Sequence, residues 1–388
     1  MIFRQEITES LTLQFAKAAA QRRQQGLPII SLGLGEPDFD VPKEIIESTI
    51  KVLRSTKAKY SDPMGLPALR EKIAFKLKEE NSINCTANNI IITAGAKQAF
   101  QLICMALLRP GDEAIIINPS FVSFIPQILI AESSCKINIV NVRKSDFKLS
   151  FDDIERTISA KTKILVINSP NNPAGYVLDK SSLVNLYSLA EEKDFYIISD
   201  EVYEKFIFSN KNHFSIGSLE NEPQRVITIN GFSKSYAMTG WRLGYACFPK
   251  ELTSKLLVLQ QHINTNTCTF IQQAVIQSIG CDSTYLEEYK NRLAKRILLI
   301  ENAIANLDSV KLVSPEAGFF AFINISGTSF TSNSFCCKLI EEMGVATTPG
   351  IAFGDGWDDH VRISFATSEE FLTNGMSLIV SFLKNISK

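Results

Sequence analysis

Short apolar runs rich in β-branched residues constrain this chain more than any other feature. They lie at residues 90–93, 114–117, 164–167, 195–199 and 226–229, and each breaks into small or turn-forming residues. Four or five apolar residues make a strand, and near-continuous apolar strands belong to sheets covered on both faces. Strand, loop and helix recur from about 90 to 247, which points to an α/β fold. A mostly parallel sheet lies under helices, with ligands held at its carboxyl edge. A long amphipathic pattern at 285–307 then bridges to a smaller α+β part. That part has strands at 319–323 and 361–365 and helices at 334–343 and 368–383. Near the start, a helix at 10–25 closes at Gly26 and a short strand follows at 28–32. The expected division is 1–45 as an N-terminal arm with part of the small unit, 46–283 as the large ligand-binding unit, and 284–388 as the small unit. A chain of 388 residues is long enough for that arrangement.

Composition removes several functions. The net charge of -1 offers no electrostatic footprint for nucleic acid or an anionic membrane. No apolar stretch approaches the ~20 residues that span a bilayer. Glu6 and Glu9 occupy the start, where a targeting peptide is apolar or basic, so a cytoplasmic location is expected. Eight cysteines lack CxxC spacing and read as reduced, packed thiols. The histidines at 213, 262 and 360 have no metal-ligand neighbour at helical spacing, so no metal is expected.

The chemistry gathers where the strands end. After the run 226–229 come Ser233, Lys234 and, eight positions beyond the lysine, Arg242 among glycines and other small residues. Desolvation and a nearby like charge both lower a lysine's pKa, which is what an amine needs to act as a nucleophile. An exposed loop lysine is the plain alternative. Asp200 and Tyr203 follow the run 195–199, where a helix cap is the plain alternative for an acid. Gly95, Ala96 and Lys97 follow the run 90–93, where backbone N–H groups at a helix start suit a phosphate. Arg362 lies in an alternating strand pattern, and its planar fork suits a carboxylate.

The run 231–244 (GFSKSYAMTGWRLG) resembles, position by position, the lysine-attachment motif of class I/II aminotransferases of fold type I. GEPDF at 35–39, NSPNNPAG at 168–175, DEVY at 200–203 and VRISFA at 361–366 follow in the family's order, so the likeness covers most of the chain. It is nearest to the prokaryotic aspartate aminotransferases of subgroup I-gamma. The resemblance implies pyridoxal 5'-phosphate as cofactor, bound covalently to Lys234, with its phosphate held by Gly95, Ala96, Lys97, Ser233 and Arg242. It implies Phe121 stacked on the ring, Asp200 at the ring nitrogen, and Asn172 and Tyr203 at the phenolic oxygen. Gly35, Asn172 and Arg362 then meet the substrate, Arg362 through its α-carboxylate, with Lys234 as catalytic base and acid beside Asp200 and Tyr203. Tyr60 is implied to reach a partner's cofactor phosphate, hence a homodimer with shared sites. Ala174 departs from the family's usual threonine or serine.

Thr12 and Lys97 stand where some I-gamma members contact a distal carboxylate, which favours aspartate or glutamate with 2-oxoglutarate. Thr8 stands where prephenate-using relatives carry arginine. The segment 264–270 (NTNTCTF) departs from the usual loop and leaves an aromatic or specialised biosynthetic substrate open. A lyase or decarboxylase on the same fold, and a non-catalytic regulatory protein, are the remaining alternatives.

Overall fold

The structure is a computed structural model that describes residues 7–55, 59–277, 279 and 284–386. The chain opens with α1 (Leu11–Gln24), β1 (Ile30–Ser31), α2 (Lys43–Ser55) and α3 (Pro67–Asn81). Pro67 begins α3 because the first turn has no use for its missing N–H. Alternation then sets in with β2 (Ile90–Thr93), α4 (Ala96–Leu107), β3 (Glu113–Asn118), α5 (Phe124–Ala131) and β4 (Lys136–Asn141). It continues through α6 (Phe151–Thr157), β5 (Thr162–Asn168), α7 (Lys180–Lys193), β6 (Tyr196–Asp200), β7 (Val226–Gly231) and β8 (Gly244–Cys247). Helices α8 (Thr253–Ile263), α9 (Thr269–Ile276) and α10 (Thr284–Ile304) follow. The last part contains β9 (Lys311–Leu312), β10 (Phe320–Asn324), α11 (Ser332–Met343), β11 (Val345–Ala346), β12 (Thr348–Pro349), β13 (His360–Ser364) and α12 (Glu369–Ile386).

Among the described residues the main sheet has seven strands in the order β2-β8-β7-β6-β5-β3-β4. Strands β7, β6, β5, β3 and β4 run parallel, whereas β8 is antiparallel to both β2 and β7. Every residue of β3 and β7 is buried, which is why those runs carry no polar alternation. Apolar layers cover the two faces. One is built on α4, α5 and α8, and the other on α7 with Phe147, Tyr176 and Trp357.

A four-stranded antiparallel sheet, β12-β13-β10-β9, packs with α10, α11 and α12 around a separate core. Strand β1 pairs in parallel with β11, so the N-terminal segment joins the C-terminal part of the chain. Ser364 N–H also donates to Leu32 O at 2.7 Å, which aligns the turn before Gly35 with the end of β13. No described helix is long and apolar enough to cross a membrane.

Candidate active site

Registry within the main sheet brings the sequence motifs to one edge. Asn168 pairs with Asp200 and Asp200 with Ile229, so β5, β6 and β7 end side by side. Because β8 is antiparallel, its first residue Gly244 pairs with both Gly231 and Thr93. The start of α4, the lysine loop and the Asp200 turn therefore meet. Above them lies a cavity of about 590 Å³, lined by Lys234, Asp200, Tyr203, Asn172, Arg242 and Arg362 among others.

Lys234 Nζ donates to Gly35 O at 2.6 Å. Burial pulls its pKa down to about 8; Arg362 and Arg242 act in the same direction, and Glu36 and Asp200 oppose them. The like-charge effect expected from Arg242 is present, and the effect of Arg362 is larger. Asp200 ends β6 and is 8% exposed. Its Oδ1 accepts from Val202 N–H at 3.2 Å, and burial raises its pKa to about 7. Asn172 is fixed by Asn168 Oδ1, which accepts its backbone N–H at 2.8 Å. Its Nδ2 reaches the Tyr203 hydroxyl at 3.5 Å. Burial raises the Tyr203 phenol above its ordinary range.

Arg362, on β13, is 3% exposed. Its Nη1 donates to Asn172 Oδ1 at 2.9 Å, and its Nη2 to Gly33 O at 2.5 Å and Thr348 Oγ1 at 3.3 Å. The guanidinium stacks 4.3 Å from the Phe320 ring centroid and 4.9 Å from that of Phe353. Burial lowers its pKa to about 10, yet among the described residues it has no carboxylate partner, and its Nε has no hydrogen-bond partner. A buried cation held only by neutral groups is costly. An anion entering the cavity would relieve that cost.

At the opposite wall, a Cβ on Gly95 would lie 2.4 Å from Arg242 Nη2, and one on Gly244 only 2.5 Å from the Ala96 backbone nitrogen. Gly95 has φ +83°, a conformation that favours glycine. Arg242 donates to Thr239 O at 2.8 Å and Ala94 O at 3.2 Å. A guanidinium and the free N–H groups of a helix start thus share a corner with Ser233 that suits a phosphate. Lys97 Nζ lies 5.5 Å from the Phe121 ring centroid; burial, then Arg242, lowers its pKa.

Gly35, Ala96, Lys97, Phe121, Ser233 and Thr12 all line the cavity. Thr12 Oγ1 is buried there without a partner. Gly95 stands beneath Arg242. Tyr60 is the exception: it is 87% exposed and does not line the cavity of its own chain. The 264–270 segment is likewise absent from the lining, although Thr269 Oγ1 donates to Lys59 O at 2.9 Å beside Tyr60. The supports Asn168, Gly33, Thr348 and Phe320 were not anticipated. A polar residue ending an apolar strand was the available signal for Asn168; the others are joined to the site only by folding. Glu36, beside Gly35 in its motif, also lines the cavity.

The sequence profile of the family "Aminotransferase class I and II" matches residues 28–379. An aspartate aminotransferase of Pyrococcus abyssi is 38% identical over 359 residues, covering 92% of each chain. The aromatic-amino-acid aminotransferase 2 of Thermococcus litoralis is 36% identical over 359 residues, again 92% of each. The crystal structure of an aspartate aminotransferase from Thermotoga maritima superposes with a TM-score of 0.91 at 36% identity, covering 98% of both chains. Fold, family profile and near full-length relatives agree: the chain belongs to the class I and II aminotransferases and is a transaminase of fold type I.

Proposed function

We propose that this transaminase uses pyridoxal 5'-phosphate to move the amino group of aspartate or glutamate to 2-oxoglutarate. The observation that carries the reading is Arg362, a buried guanidinium with no carboxylate partner among the described residues, facing the same cavity as a lysine of lowered pKa. The residues present fit the cofactor. The corner at Gly95, Ala96, Lys97, Ser233 and Arg242 suits its phosphate, Phe121 suits a ring face, and Asp200 suits a ring nitrogen. Asn172 and Tyr203 suit its phenolic oxygen. When bound, the cofactor supplies an aldehyde that amines condense with and a ring that accepts the electron pair left on the substrate's Cα.

The chain's own residues do the rest. Arg362 grips the substrate α-carboxylate through Nη1 and Nη2, with Asn172 and Gly35 beside it. The neutral amine of Lys234 takes the Cα proton and would return it to the carbon that comes from the cofactor's aldehyde, acting as base and then acid. Asp200, held at its strand end, balances charge at the ring nitrogen. Thr12 and Lys97 meet the distal carboxylate, which supports a dicarboxylic substrate, as do the relatives named aspartate aminotransferases.

A second reading, an aromatic substrate, draws on the apolar lining from Leu13, Leu34, Phe100 and Phe124 and on the Thermococcus litoralis relative. Steady-state assays of aspartate, glutamate and phenylalanine with 2-oxoglutarate separate them. A clear preference for the dicarboxylic donors is expected. Phenylalanine alone reacting would overturn the substrate assignment, and ammonia or carbon dioxide release without an acceptor would overturn the transamination reading. The exposure of Tyr60, together with exposed Ile46, Ile50 and Leu53 on α2, supports a homodimer with shared sites; a cytoplasmic location belongs to the same reading. The same reading divides the chain at about 46 and 284, into a large cofactor unit and a small unit completed by the N-terminal arm.

A further inference from the structure

Three acids fall within five positions of the turn after β6: Asp200, Glu201 and Glu204. Only Asp200 lines the large cavity. Glu204 instead lines a second cavity of about 160 Å³, with Lys76 from α3, Gly231 and Ser235. Glu201 is 1% exposed. Its Oε1 accepts from Ser199 Oγ at 2.9 Å and Ser215 Oγ at 2.8 Å, and its Oε2 meets His213 Nε2 at 2.9 Å. Glu204 pairs with Lys76 Nζ and accepts from Asn81 Nδ2 at 2.6 Å, and its Oε2 lies 4.0 Å from His213 Nε2. Glu201, Glu204 and His213 could group around a metal ion, but the Lys76 ammonium already pairs with Glu204.

Glu201, Glu204, His213 and Lys76 do not line the substrate cavity, yet the two glutamates sit on the turn that presents Asp200 and hold His213 and Lys76 behind it. We propose that His213, as an imidazolium paired with Glu201, is a positioning residue that keeps Asp200 ready to ionise against a cation in the cavity. The inference rests on the reading of Asp200 as the ring-nitrogen partner. With His213 and Lys76 protonated, two fixed cations answer the two carboxylates behind the turn. With His213 neutral, Glu201 is an unbalanced charge next to Asp200, and a like charge makes a carboxyl hold its proton.

Burial favours neutral His213, but Glu201 and then Glu204 outweigh it and raise its pKa, with Lys76 opposing them. Nδ1 is buried with no hydrogen-bond partner among the described residues, which opposes a second ring proton, so it is the charge of the two carboxylates facing Nε2 that sustains it. Glu80 on α3, Lys205 and the Tyr245 phenol on β8 complete the titratable surroundings. Glu80 pairs with Lys205 at 2.5 Å and lies 3.7 Å from Lys76.

The test combines a titration and a charge rescue. With three histidines in the chain, imidazole NMR of histidine-labelled protein gives few signals, assigned by H213Q or by elimination with H262Q and H360Q. The His213 signal is expected to stay that of an imidazolium above pH ~6.5, the ordinary midpoint, and to move lower in E201Q. Affinity of the apoprotein for pyridoxal phosphate, by equilibrium dialysis at pH 7, is expected to fall about tenfold in H213Q, one pKa unit of coupling. It is expected to recover in E201Q/H213Q, where the pair is neutral on both sides, while KM for the amino donor stays native in both. A His213 midpoint at or below ~6.5, or a double variant as weak as H213Q, would overturn the proposal by leaving His213 only a structural role. D200N keeps the two claims apart: native cofactor affinity in D200N would place the failure in the reading of Asp200, whatever His213 does.

Discussion

Lys234 and Asp200 are held in opposite protonation tendencies by the same cause. Burial lowers the lysine to about 8 and raises the aspartate to about 7, so each is shifted toward its neutral form, although the lysine stays mostly protonated until the pH passes about 8. Covalent uptake of pyridoxal phosphate, trapped by borohydride, is therefore expected to accelerate as pH rises through about 8, because only the neutral amine attacks. A rate independent of pH from 6 to 9 would contradict that account. The raised Asp200 pKa means that the folded apoprotein holds a proton which the unfolded chain has released. This contribution to stability is present below pH ~4 and is lost as pH rises through about 7. D200N is thus expected to raise the melting temperature of the apoprotein at pH 8, with the gain vanishing toward pH 4. Lys234→Ala is expected to reduce transamination by at least about 10²–10⁴-fold, the worth of acid–base catalysis alone. Arg362→Ala is expected to raise KM for every α-amino acid, by roughly 30-fold or more, since truncating one side of a buried charged pair costs about 2–5 kcal/mol. An increase confined to dicarboxylic donors would show that Arg362 reads the distal carboxylate instead.

At the scale of elements, the site depends on β8 lying between β2 and β7. A Cβ on Gly244 would meet Gly95 and Ala96 backbone atoms, which cannot rotate away. Gly244→Ala is expected to destabilise the fold by about 1–3 kcal/mol in chemical denaturation, the usual cost of overpacking, and to weaken phosphate binding at the start of α4. Native stability in that variant would mean the corner is looser than described. Helix α10 is anchored differently: its Arg296 donates from Nη1 and Nη2 to Asp38 at 2.8 and 2.7 Å, just beyond Gly35 and Glu36.

The strands that deliver Asn172, Asp200 and Lys234 were legible because buried parallel strands are apolar runs with polar residues at their ends. The reversed β8 was not, since Gly-Tyr-Ala-Cys is short, lacks β-branched residues and carries no mark of direction. Arg362 was legible from its motif, but its partners Gly33 and Thr348 were not, since Gly33 lies 329 positions away and only tertiary packing unites them. Helix α9 also escaped notice, because its first two residues belong to the 264–270 segment read as a loop and only six follow.

For the whole molecule, the decisive contrast is between a cavity furnished by one chain and Tyr60, which is exposed and does not line it. A shared-site homodimer predicts complementation between two inactive chains. Tyr60→Ala mixed with Lys234→Ala, unfolded and refolded together, is expected to recover about a quarter of native activity, the statistical share of native-like sites in a symmetric dimer. Recovery no greater than the sum of the separate variants would show that each chain works alone.

The most direct measurement of the central claim is an absorbance titration of the purified protein loaded with pyridoxal phosphate. Adding aspartate is expected to replace the visible band of the lysine-bound cofactor with the near-ultraviolet band of its amine form, and 2-oxoglutarate is expected to restore it. Failure to form a visible band at all, or a band that no amino acid shifts, would contradict the account built on Lys234.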